Sequence, residues 1–252
     1  MTAAPDITSL VPRFRWGNIA PRSGVAVDIG PGYEFYRLAP LDVIEIKVEL
    51  GITDYTAEAV EAAILRLPER VEMLERERVD RIILGGAPVS ARLGRERLRG
   101  LLDEAEQRTG IACDAPLEAV LSSMAHLGLE KLALASRWPN ELNDAVATYL
   151  ADGGVEVVAR TSRDQWAREA AAMTLEEGIA TALDVAREAA VGEGAQAVFV
   201  AGGAALSLQT IPVIEAEFGL PTFTNFSAEV FTGLVGPGVI GPLAGWGRLL
   251  AG

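Results

Sequence analysis

The chain has 252 residues, half of them apolar and 23% charged, with a formal net charge of −13. That length supports one large or two small domains with a real core. The acidic balance argues against a nucleic-acid partner, which needs a Lys/Arg surplus on one face. One cysteine, Cys113, and one histidine, His126, exclude an internal disulfide and a Cys/His metal cluster.

The first residues, "MTAAPDITSLVPRFRWGNIAPRSG", lack the apolar core of a signal peptide. No uncharged apolar run approaches the roughly 18 residues of a membrane span. A cytoplasmic protein without a membrane partner is expected, and residues 1–23 read as an N-terminal extension. "GVAVDIG" (24–30) then reads as the first strand and "DVIEIKVEL" (42–50) as the second. Residues 56–77 have helical periodicity, with Thr56 as N-cap and Pro68 as a kink. "DRIILGG" (80–86) is a strand and residues 90–110 a helix.

The order then repeats. Residues 116–128 form a helix, 131–136 a strand, 139–154 a helix with Pro139 in its first turn, and 155–160 a strand. Thr174 and Glu177 are spaced as a capping box opening a helix to about Val191. "AQAVFVAGG" (195–203) is a strand, 204–219 a helix, 220–225 a short strand, and a last helical stretch runs through "SAEVFTGLVG". Strands alternating with helices of this length predict parallel βαβ units, and strands apolar throughout are covered on both faces. The expected class is α/β, two similar Rossmann-like (flavodoxin-like) domains. The first takes residues 24–115 plus 226–252 and the second 116–225.

"IILGGAPVS" and "VFVAGGAALS" form a weak internal repeat: strand, glycine pair, small residues, serine, helix. Two such tips facing each other would place a crevice at the strands' carboxyl ends. Glycine pairs let backbone N–H groups face a ligand, and a helix start favours an anion. A small carboxylate is the ligand this chemistry suits. Tight αβ packing explains the same glycines equally well. Neither tip is a dinucleotide fingerprint or a P-loop.

"RIILGGAPVSARLGRERL", "TGIAC", "LGLEKLALAS", "NDAVATYL" and "IPVIEAEFGLP" resemble the maleate cis-trans isomerase and arylmalonate decarboxylase branch of the aspartate/glutamate racemase superfamily. The resemblance spans roughly residues 24–235. It implies two pseudo-two-fold related α/β domains around a central crevice, no metal or organic cofactor, and commonly a homo-oligomer. The family's chemistry uses cysteines at the two strand tips. Here those positions fall at Gly86 (Gly85 by the internal repeat) and Ala201, so both thiols are absent. Neither glycine nor alanine can exchange a proton as a tuned thiol does.

The resemblance implies a substrate-binding set of Gly86, Ala87, Arg137, Trp138, Asn143, Ala201, Gly202 and Gly203. Arg137 could grip a carboxylate bidentately; a solvated loop charge is the alternative. Asn143 could equally serve helix packing. In place of thiols, Asp28 near the end of the first expected strand, Asp114 past "GIAC", and Tyr33 in a loop roofing the crevice are candidate acid/base groups. Glu34 and Tyr36 share that loop. Cys113 reads as a small buried hydrophobe and His126 as a helix residue away from the tips. The expected function is a cofactor-independent isomerase or lyase acting on a small carboxylate without catalytic thiols. The alternative is a catalytically silent carboxylate-binding or regulatory protein with the same crevice.

Overall fold

A computed structural model describes residues 11–22, 29–52, 55–166, 169–170, 172–202 and 206–252. Two four-stranded parallel sheets organise the chain. The first has the order β2-β1-β3-β4, with β1 Phe14–Arg22, β2 Val43–Ile52, β3 Arg81–Leu84 and β4 Ala112–Asp114. The second repeats that order as β6-β5-β7-β8, with β5 Lys131–Ala135, β6 Glu156–Arg160, β7 Ala197–Val200 and β8 Thr222–Thr224. The two-fold repetition of one α/β unit is therefore real at the level of topology.

Most of the strand expected at 24–30 lies outside the described residues, and a described strand precedes it. The first strand is β1, inside the segment read as an extension, and it occupies the middle of its sheet between β2 and β3. Residues 23–28 lie outside the described residues. Ile29 already begins helix α1, Ile29–Leu38, so Tyr33, Glu34 and Tyr36 are helical rather than in a loop. β1 carries no apolar run because its polar residues are paired within the first half. The Arg15 amide donates to Asp80, its guanidinium donates to the Glu77 carbonyl, and Asn18 Nδ2 donates to Glu45 at 2.6 Å. Gly17 also sits where a Cβ would meet the Arg81 carbonyl at 2.9 Å.

Local signals elsewhere translate directly. Thr56 caps α2, Ala57–Ile64, by accepting from the Ala59 amide. Pro68 does more than kink the expected helix: it stands in the first turn of a separate one, α3, Leu67–Arg76. Gly94, with φ +74°, divides α4, Ala87–Leu93, from α5, Arg95–Thr109. α6 spans Pro116–Leu127 and α7 Asn140–Asp152. The Thr174/Glu177 capping box opens α8, Leu175–Ala190, with both reciprocal bonds formed. The helix expected from residue 204 begins later, as α9, Thr210–Phe218. Ser207 and Thr210 bond to each other before it, Thr210 Oγ1 donating to the Ser207 carbonyl at 2.6 Å. α10, Asn225–Val230, runs into a π-helical turn, Phe231–Val235.

One apolar core runs continuously through both sheets, from Trp16 and Phe35 to Phe199 and Phe223. A smaller alanine- and valine-rich cluster joins α8 to β5 and β7. Among the described residues no helix is long and apolar enough to cross a membrane.

The π turn tests this packing. A Cβ at Gly233 would lie 2.3 Å from the Trp16 ring, and Trp16 is 1% exposed and cannot swing away. Gly233→Ala is expected to cost about 1–3 kcal/mol through overpacking. Gly100→Ala, on the exposed face of α5 with nothing within 4 Å of the new methyl, is expected to stabilise slightly. Paired thermal melts of the two variants check both signs.

Candidate functional site

A cavity of about 130 Å³ lies where the carboxyl ends of four strands converge. β1 contributes Ala20 and Pro21, β3 is followed by Gly85 and Gly86, β5 by Arg137 and Trp138, and β7 by Gly202. In each sheet these are the two central strands, where a sheet of order 2-1-3-4 reverses direction. That is the topological switch point at which α/β sheets bind ligands. The repeat read from the glycine tips thus marks equivalent strands, β3 and β7.

The two tips differ. At the first, Gly86 takes φ +95° and α4 begins directly at Ala87, with Pro88 in its first turn. At the second, Gly202 takes φ +99° and its amide donates to Asn225 Oδ1 at 3.4 Å. Gly203 lies outside the described residues. Ala201 is buried, its amide donating to the Ala135 carbonyl at 2.8 Å.

Arg137 dominates the second wall. It is 5% exposed, and among the described residues no carboxylate pairs with it. Its Nη1 is buried without a hydrogen-bond partner. Burial alone pushes its pKa down. Trp138 lies beside it: a Cβ on Gly202 would stand 3.6 Å from Trp138 Nε1 and 3.7 Å from Arg137 Nη2. Both groups therefore stand within van der Waals contact of the place a side chain at Gly202 would take. Asn143 does not line the cavity. Its Nδ2 donates to the Thr161 carbonyl at 2.9 Å and the Trp138 carbonyl at 3.3 Å, which fixes the loop carrying Arg137 and Trp138.

The first wall is acidic. Glu34 reaches from α1, and its Oε1 accepts from the amides of Ser207 and Leu208, each at 2.7 Å. Burial nevertheless pushes its pKa up to about 7, the two amides pulling the other way. Glu229, on α10, also lines the cavity. Burial, then the nearby charges of Asp114 and Glu45, push it up to about 8. Asn18, Lys47, Tyr55 and Gln165 complete the polar lining.

The expected acid/base candidates fall elsewhere. Asp28 is outside the described residues. Tyr33 is 45% exposed, with its hydroxyl accepting from Arg37 at 3.0 Å, and it does not line the cavity. Asp114 stands behind the wall. It accepts from Arg81 Nη2 at 3.1 Å, Thr232 Oγ1 at 2.8 Å and the Ala115 amide at 2.8 Å. His126 is exposed, 4.5 Å from the Phe231 ring between centroids. Sequence reasoning had no place for Glu229, Asn18, Lys47 or Gln165.

Cys113 is half-buried in β4 away from the cavity, and burial pushes its thiol up to about 12. A thiol held neutral is a poor nucleophile. Cys113→Ser is expected to leave ligand binding and any turnover within about twofold, and the native thiol is expected to react slowly with a disulfide reagent at pH 8. A large loss on substitution would place Cys113 in the chemistry.

Known proteins agree with this architecture. Arylmalonate decarboxylase from Bordetella bronchiseptica is 25% identical over 193 residues, 76% of this chain and 79% of that protein. A cysteine-relocated variant of arylmalonate decarboxylase in a liganded form superposes with a TM-score of 0.80 at 23% identity, covering 94% of this chain and 98% of the other. The maleate isomerase of Pseudomonas putida S16, solved with maleate, gives 0.81 at 17% identity over 95% and 98% of the two chains. A maleate cis-trans isomerase variant from Nocardia farcinica, solved with a covalently bound succinylcysteine intermediate, gives 0.78 at 17% identity over 94% and 98%. The family model described as arylmalonate decarboxylase matches residues 42–250, and the chain belongs to that family.

Proposed function

We propose that the chain is a cofactor-independent enzyme acting on a small carboxylate-bearing substrate by acid/base chemistry that uses no cysteine. The observation that carries this reading is Arg137, a buried guanidinium with which no carboxylate of the described residues pairs, beside the Gly202 tip. Burying an unpaired charge costs several kcal/mol, and a planar guanidinium is the group that binds a carboxylate bidentately. A bound carboxylate would supply the missing partner. Trp138 Nε1 and the Gly86 and Ala87 backbone offer further donors for an enolate-like charge.

The reaction fits an isomerase or a lyase of decarboxylating type, because either passes through a carbanion next to a carboxylate. Ala201, standing where the resemblance places a cysteine, has no proton to give. A cavity carboxyl, Glu34 or Glu229, supplies the proton in this reading. Formation of a homo-oligomer and a cytoplasmic location belong to the same proposal.

The test is a panel of phenylmalonate, maleate and small keto acids. Binding is followed by calorimetry and turnover by proton NMR in D₂O. Binding with release of a deuterated product supports the enzyme. Clear binding with no turnover across the panel favours a carboxylate-binding protein. No binding by the wild-type chain overturns the carboxylate reading.

A further inference from the structure

We propose that Glu229 is the acid of this cavity, delivering a proton to the carbon beside a carboxylate held by Arg137. The inference rests on the carboxylate reading above and assigns its missing proton donor.

Three observations place the role on Glu229. It lines the cavity from α10, together with Asn225 and Phe226 of the same helix. Phe226 packs against Phe35 of α1, ring centroids 6.3 Å apart, so the helix is fixed against the first half. Burial first, and then the surrounding charges, favour its protonated form. Asp114 lies behind it, tied to Arg81 and Thr232, and Glu45 lies beside it, tied to Asn18. Ionising Glu229 would add another negative charge to that group. Lys47, Glu34 and Arg137 are the other charged groups lining the cavity. Glu34 is less suited to the task, because two backbone amides converge on one of its oxygens and favour its charged form. Burial raises the pKa of both carboxyls, and no backbone amide opposes it at Glu229 as two do at Glu34.

For a malonate-type substrate the step balances simply. The C–C bond to one carboxylate breaks and CO₂ leaves. The electron pair stays on the α carbon as an enediolate whose charge Arg137 faces. That pair forms the new C–H bond with the Glu229 proton, and the resulting carboxylate takes a proton from water. An acid is needed at carbon and no oxidant or reductant enters.

The experiment compares wild type, Glu229→Gln and Glu229→Asp with phenylmalonate. Expected is a loss of about 100-fold or more in kcat for Glu229→Gln, with a Kd within a few-fold of wild type and an intact melting transition. Wild-type kcat is expected to fall as pH rises through about 8 or above. Glu229→Asp should keep part of the activity with that limb displaced. Turnover by Glu229→Gln within threefold of wild type, an unmoved limb in Glu229→Asp, or wild-type binding without turnover would each overturn the assignment while leaving the carboxylate reading standing. Failure of the wild type to bind would overturn both.

Discussion

Arg137→Met is expected to weaken binding of a small carboxylate by about 100-fold or more while leaving the melting temperature unchanged or raising it. Truncating one member of a buried, hydrogen-bonded charge pair typically costs about 2–5 kcal/mol of binding. Among the described residues, however, no carboxylate pairs with Arg137, and its Nη1 is buried without an acceptor. The fold carries the desolvation of that charge and gains no ion pair in return. A flexible apolar side chain of similar length removes the cost. A structural arginine would behave oppositely, with stability falling and affinity unmoved. Arg137→Lys separates charge from geometry: it keeps the cation but loses the planar fork, so an intermediate affinity is expected. Calorimetric titration with phenylmalonate, alongside thermal melts of the unliganded proteins, reads both effects. Because α7 supports the loop through Asn143, Asn143→Ala should weaken binding less than Arg137→Met and lower stability more, since it removes the donor to the Thr161 carbonyl while Ser162 Oγ still donates to that of Trp138.

The order of strands and helices was legible because both apolar sheets interrupt amphipathic helices at regular intervals, and the glycine tips marked the equivalent strands β3 and β7. Arg137 and Trp138 were legible as the residues following β5. The start of the chain was not. "GVAVDIG" has the β-branched look of a strand, whereas β1 carries Arg15, Gly17 and Asn18, whose fitness depends on Asp80, Glu45 and the close β3 backbone. Those partners are 27 to 65 residues away and leave no local signature. Losing β1 also displaced α1 into a loop, which put Tyr33 in the cavity and left Glu34 unranked beside it. Glu229 did leave a signal. Between Glu217 and Arg248 it is the only charged residue, inside a helix that is otherwise small or apolar. An isolated carboxylate in such a run is either exposed or functional, and α10 packs inward against α6 and α1.

The two cavity carboxyls, Glu34 and Glu229, also predict how stability depends on pH. Glu34 is raised from 4.5 to about 7 and Glu229 from 4.5 to about 8, both by burial first. Between the unfolded and folded values the native chain holds a proton that the unfolded chain has released. Stability therefore falls as pH rises through that window, and is fully present only below about 4.5 for these groups. Glu118 acts in the opposite sense: Arg95, Tyr149 and Arg99 outweigh its burial and hold its pKa below the ordinary value, so its contribution is lost on acidification. For Glu34 the drop across the window is about 3 kcal/mol at roughly 1.4 kcal/mol per pH unit. Glu34→Gln should match wild type near pH 5, because the amide oxygen still accepts from Ser207 and Leu208, and exceed it at pH 9. Glu229→Gln should do the same with the divergence extending to higher pH. Denaturant unfolding at pH 5, 7 and 9 reads the difference directly. Parallel wild-type and variant curves across that range would mean that neither carboxyl keeps its proton in the folded chain. The acid proposed for the cavity would then be missing from the unliganded protein.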